Sequence, residues 1–87
     1  MIKIWAKCIK NHKLIKDKIY ESLDKYNPAS LYVHIQALCH ELDIPTPVIL
    51  KTHIENFDRF NTVSFTVRDF IESVEFDTLT LEHVIEK

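Results

Sequence analysis

The chain is predicted to fold as a small α+β domain, an antiparallel sheet in the order ββααββ with a two-helix hairpin packed on one face. Three observations carry this expectation. Residues 2–9 alternate between apolar and polar positions and a second strand-like run follows; two proline-marked helix starts occupy the middle; and alternation returns at Val63, Phe65 and Val67. Eighty-seven residues with 46% hydrophobic and 28% charged side chains make one globular domain, 1–87, with a thin core.

The first two strands read as a hairpin turning at Asn11-His12, by a two-residue loop or a four-residue loop of the same register. That register sets Ile9 against Leu14, Cys8 against Ile15, Lys7 against Lys16, Trp5 against Lys18 and Ile4 against Ile19. Its core face would then hold Ile2, Ile4, Ala6, Cys8, Ile15 and Ile19. Asn27-Pro28 starts the first helix, with asparagine as cap and proline in the first turn, where its missing N–H costs nothing. Leu31, Ile35, Leu38 and Leu42 form its apolar stripe, flanked by Tyr32 and Cys39, and it ends near Asp43. Thr46-Pro47 repeats the start signal for a second helix running to about Phe60, with the stripe Ile49, Leu50, His53, Ile54, Phe57 and Phe60. A strand follows at Val63–Val67, then a turn at "RDFIES". Val74 and Phe76 occupy even positions and Leu79 and Leu81 odd ones, so a bulge or corner is expected near Asp77-Thr78.

The chain contains no glycine. Phosphate cradles of the GxGxxG and GxxxxGK[ST] types need glycine for close backbone approach, so dinucleotide and P-loop chemistry is excluded. Tight turns must then use asparagine or aspartate, which tolerate positive φ better than other side chains. Lysines interrupt every apolar run of the opening "MIKIWAKCIK", so neither a signal-peptide core nor a membrane span is expected, and a cytoplasmic protein is the default. Cys8 and Cys39, without CxxC spacing, read as reduced structural thiols.

Motifs for catalysis are incomplete. His40-Glu41 opens a zinc-protease pattern, but the position of its second histidine is Ile44. His34 and His53 would supply only two ligands where a structural zinc wants four. No nucleophile elbow arranges the serines, cysteines and histidines. The expectation is therefore no catalytic residue, no cofactor and no metal, with a metal-dependent or thiol enzyme as the third reading.

"ALCHELDIPTPVILKTHI" also has the outline of a helix-turn-helix, whose second helix would read DNA through Lys51, Thr52, Glu55 and Asn56. Against this, the turn lacks glycine, that helix's outward face has no net charge, and no basic residue lies between Lys25 and Lys51. The stretches "HELDIPTPVILKTHIENFDRF" and "DFIESVEFDTL", together reaching from His40 to Leu79, resemble a family of short uncharacterised bacterial proteins. The resemblance implies no assigned activity and no ligand residues.

The net charge of −2 conceals an asymmetry. Residues 1–25 carry seven lysines against three acids, whereas residues 26–87 carry four basic residues against ten acids. In the register above, the outer hairpin face presents Lys3, Trp5, Lys7, Lys16, Lys18 and Tyr20 together. Lysines interleaved with aromatic rings suit single-stranded nucleic acid, where bases stack and phosphates meet ammonium groups. The like-charge pair Lys7 and Lys16 requires compensation, either by a partner or by acids of the C-terminal strand such as Glu75, Asp77 or Glu82. The sequence thus predicts a non-enzymatic binding or accessory module whose partner is an acidic protein surface, a second copy of the chain, or single-stranded nucleic acid, with no role for a membrane.

Overall fold

The computed structural model describes residues 1–85, in which four strands and two helices follow one another in the predicted order. They are β1 (Ile2–Lys10), β2 (Lys13–Ser22), α1 (Leu31–Glu41), α2 (Lys51–Phe60), β3 (Thr62–Thr66) and β4 (Thr78–His83). All pairings are antiparallel and the strands lie in the order β2-β1-β4-β3, so the N-terminal hairpin joins the rest through β1 against β4. Among the described residues no helix is long and apolar enough to cross a membrane.

Without glycine, every left-handed position falls to another residue. Asn11 and His12 both have positive φ, 51° and 65°, the backbone that a two-residue hairpin loop demands. Asp43 (58°) and Asn61 (60°) end α1 and α2 in the same conformation. Beyond Asp43 the Ile44 N–H reaches back to the Cys39 carbonyl at 3.0 Å, closing the end of the helix. Asn27 caps as predicted: its side-chain oxygen accepts the Ala29 N–H at 2.9 Å, and a short 3₁₀ turn, Pro28–Ser30, leads into α1.

The core is one cluster. Ile2, Ile4, Ala6 and Cys8 of β1 are fully buried with Leu31, Ile35, Leu38 and Cys39 of α1, Phe57 of α2, Phe65 of β3, and Leu79 and Leu81 of β4. Side-chain alternation on β1 holds from Ile2 to Ile9, with Ile2, Ile4, Ala6 and Cys8 buried and Lys3, Trp5, Lys7 and Ile9 half-exposed. The predicted corner falls at Asp77, whose N–H donates to the Ile9 carbonyl (2.8 Å) while its carboxylate accepts the Asn11 N–H (2.8 Å). The start of β4 is thereby pinned to the tip of the hairpin.

Three expectations fail. The second helix begins at Lys51 with Leu50 as cap, four residues beyond Thr46, and residues 44–50 are irregular. Pro47 is buried and the Val48 N–H donates to the Asp69 carbonyl at 2.6 Å, so tertiary contacts hold this segment out of the helix that its sequence starts. No tight helix-turn-helix corner forms between α1 and α2. Of the residues assigned to the two stripes and their flanks, Tyr32, Leu50 and Phe60 are exposed, and His34, which was in neither, is buried. Val67 leaves the strand to open a 3₁₀ turn, Val67–Asp69.

Candidate interaction surface

The hairpin departs from its predicted register at one residue. Lys10 faces Lys13 and Ile9 faces Leu14 across the turn, but Cys8 faces Lys16, so Ile15 is the extra residue of a β-bulge. A one-residue slip moves every later side chain of β2 to the opposite face. Ile4 then faces Tyr20, Trp5 faces Ile19, Lys7 faces Asp17 and Lys3 faces Glu21.

Of the six residues predicted to share one face, Lys3, Trp5 and Lys7 do so, while Lys16, Lys18 and Tyr20 lie on the other side of the sheet. Ile15 and Ile19, predicted to enter the core, are exposed. Tyr20 takes the core position instead and is buried, its hydroxyl 2.9 Å from Nδ1 of His34, itself buried on α1. Lys18 pairs with Glu41 of α1 at 3.4 Å, and Lys16 lines a cavity shared with Asp43 and Glu75. The bulge thus exchanges a like-charge pair for an opposite-charge one, Lys7 with Asp17, and places a polar-tipped ring where a buried hydrogen bond awaits it.

The outer face is a mosaic. Trp5 donates its ring N–H to Asp17 Oδ2 at 3.0 Å, and Lys7 Nζ lies 4.3 Å from the centre of the same ring. Across β1 and β4, Trp5 neighbours Glu82 and Lys7 neighbours Thr80; across β4 and β3, Thr80 neighbours Ser64, their hydroxyl oxygens 3.1 Å apart. Thr62, Thr66 and Thr78 continue the hydroxyl half of the surface. Sequence reasoning missed Asp17, Ile19 and Glu21 as members of this face, while Glu82 is one of the three acids it named as able to compensate the lysines. The clue was the penalised Lys7–Lys16 pair, which a bulge removes.

Several groups capable of acid-base or nucleophilic chemistry are buried or make internal contacts. Burial pushes the Cys39 thiol up to about 12, with the neighbouring Cys8 adding to it, and burial raises Cys8 as well, against a smaller opposing effect of Lys16. Tyr26 is raised to about 12 by burial and by the bond its hydroxyl donates to Asp58, 2.9 Å away. Burial likewise raises Tyr20, helped by Glu41 and Asp24. The ring of His83 lies 4.9 Å from Tyr26 and 5.4 Å from Phe57, and burial lowers its affinity for a proton. His53 packs 4.4 Å from the Phe65 ring with both nitrogens near polar partners, Leu50 and Asp69, whereas the His34 nitrogens face Tyr20 and Asp24. His40 is exposed. Among the described residues no three His, Cys, Asp or Glu side chains are grouped to hold a metal ion.

The α2 residues named for DNA reading, Lys51, Thr52, Glu55 and Asn56, are all exposed, and Lys51 lies 3.9 Å from Glu55 of its own helix. Compared with family models, with curated proteins and with solved structures, the chain matches none.

Proposed function

We propose that the protein is a non-enzymatic binding module of the cytoplasm, in which both helices cover one face of the sheet and the other face, centred on Trp5, Lys7, Ile19 and Thr80, receives a protein partner. One observation carries this reading. The bulge at Ile15 sets Asp17 and Glu21 among Lys3, Trp5 and Lys7, and the pairing of β1 with β4 adds Glu82 beside Trp5, giving a surface of both signs around an aromatic and aliphatic centre. Such a mosaic suits the apolar centre and polar rim of a protein interface. A phosphate backbone, whose binding rests on neutralisation by lysine and arginine, would meet carboxylates here as well. The absence of an enzymatic role is supported by the raised thiols and by histidines committed to internal contacts. The buried free thiols Cys8 and Cys39 fit a reducing compartment.

Titration with a short single-stranded oligonucleotide, followed by Trp5 fluorescence, tests the partner class. No change at physiological salt is expected. A response whose affinity falls with a log-log salt slope of about −0.7 per phosphate would overturn the reading in favour of nucleic acid. For a purified protein partner, Trp5→Ala is expected to weaken binding by about tenfold or more, as for the aromatic centre of an interface. His40→Ala, on the exposed side of α1, should leave it unchanged; equal loss in both variants would place the interface elsewhere.

A further inference from the structure

The start of α2 lacks an ordinary cap, because Leu50 occupies the cap position and its side chain offers no acceptor. Its backbone is satisfied from within the helix: the Leu50 N–H donates to Nδ1 of His53 at 2.9 Å, and the His53 N–H donates to the Leu50 carbonyl at 3.0 Å. His53 thus stands where a capping box places glutamate or glutamine, reaching back to the cap residue's N–H. An imidazole can play this part only while Nδ1 is unprotonated, which puts the ring proton on Nε2. That nitrogen lies 3.8 Å from Asp69 Oδ1.

Asp69 joins three elements. Its carboxylate accepts the Thr66 N–H at 2.8 Å, its carbonyl accepts the Val48 N–H at 2.6 Å, and its other carboxylate oxygen faces His53. It is the charged group in contact with the ring. The other packed neighbours, the Phe65 ring of β3 and the Leu50 amide, do not titrate as acids or bases in this range. We infer that His53 is a pH-responsive cap: neutral, it closes the start of α2, and protonated, it releases the Leu50 N–H and shifts its hold to Asp69. Protonation makes both ring nitrogens donors, so Nδ1–H confronts Leu50 N–H, donor against donor, while Nε2–H gains a charge-assisted bond to the carboxylate. The first turn of α2 then loosens at Leu50, while the segment before it stays held by the Val48 N–H on the Asp69 carbonyl.

The experiment is a nitrogen-15 NMR titration of the intact chain from pH 8 to pH 5, reading the Leu50 amide and the His53 ring carbon-bound protons in the same sample. Protection of the Leu50 amide against hydrogen exchange is expected to fall roughly fivefold, the loss of one cap, with the midpoint of the His53 ring signals and not that of His83. In His53→Gln the side-chain oxygen accepts the same N–H without titrating, so protection should stay flat across the range. A Leu50 amide indifferent to His53 protonation in the wild-type chain would overturn the inference, whether or not the variant folds. So would a His53 ring that takes up no proton above pH 5, or the same fall in protection in His53→Gln.

Discussion

Two helix starts in this chain carry the same signal, and only one is used. Asn27-Pro28 and Thr46-Pro47 each offer a capping side chain followed by a residue that fits the first helical turn. At the first, the Asn27 oxygen takes the Ala29 N–H and a 3₁₀ turn runs directly into α1. At the second, Pro47 is buried, Val48 is bound to Asp69, and α2 waits until Leu50. A cap contributes about 1 kcal/mol, which is enough to place a boundary where nothing competes. It is not enough against a buried proline ring and a backbone hydrogen bond made far along the chain.

The helices also differ in how the core holds them. Leu31, His34, Ile35, Leu38 and Cys39 of α1 are all buried, whereas α2 buries Phe57 alone. The largest expected effect tests that dependence: Phe57→Ala should destabilise the protein by about 3–5 kcal/mol in denaturant unfolding, because the other α2 side chains on the core, Ile54 and His53, are only partly buried. A loss below about 1 kcal/mol would mean that Tyr26, His83 and Asp58 hold α2 without it.

The next effect isolates the buried hydrogen bond that anchors α1. Tyr20→Phe keeps the ring but removes the hydroxyl facing His34, leaving a buried nitrogen without its partner, and should cost about 1–3 kcal/mol. Little change would show that His34 turns to another partner, such as Asp24, 3.6 Å from its Nε2. Asn27→Ala should then cost about 1 kcal/mol, measured as a shift in the denaturant midpoint at constant slope.

Thr46→Ala gives the smallest effect. Thr46 is exposed and α2 starts elsewhere, so stability should stay within about 0.5 kcal/mol of the wild-type chain. A loss as large as that of Asn27→Ala would erase the distinction between the two starts.

Much of the fold was legible because its signals are local. A chain without glycine was expected to place its left-handed residues at asparagine or aspartate, and the structure puts them at Asn11, Asp43 and Asn61, with His12 joining Asn11 in the hairpin loop. The α1 stripe, the alternation of β3 and the change of parity at Asp77 also depend on neighbours a few positions away. The candidate surface was legible only in part. Lys3, Trp5 and Lys7 follow from the alternation of β1, whereas their companions depend on the pairing of β2.

By itself, then, the sequence determined the order of elements, the hairpin loop and the caps that face no competition. Only the tertiary structure decided which side of the sheet Lys16, Lys18 and Tyr20 occupy, and where α2 begins. The physical reason is common to both. Cross-strand pairs and helix caps each contribute about 1 kcal/mol or less, so distant partners can overrule them. A bulge at Ile15 that buries Tyr20 against His34 and sets Asp17 opposite Lys7 inverts the rest of β2. An Asp69 carbonyl that binds Val48 likewise keeps a proline-marked start out of the helix.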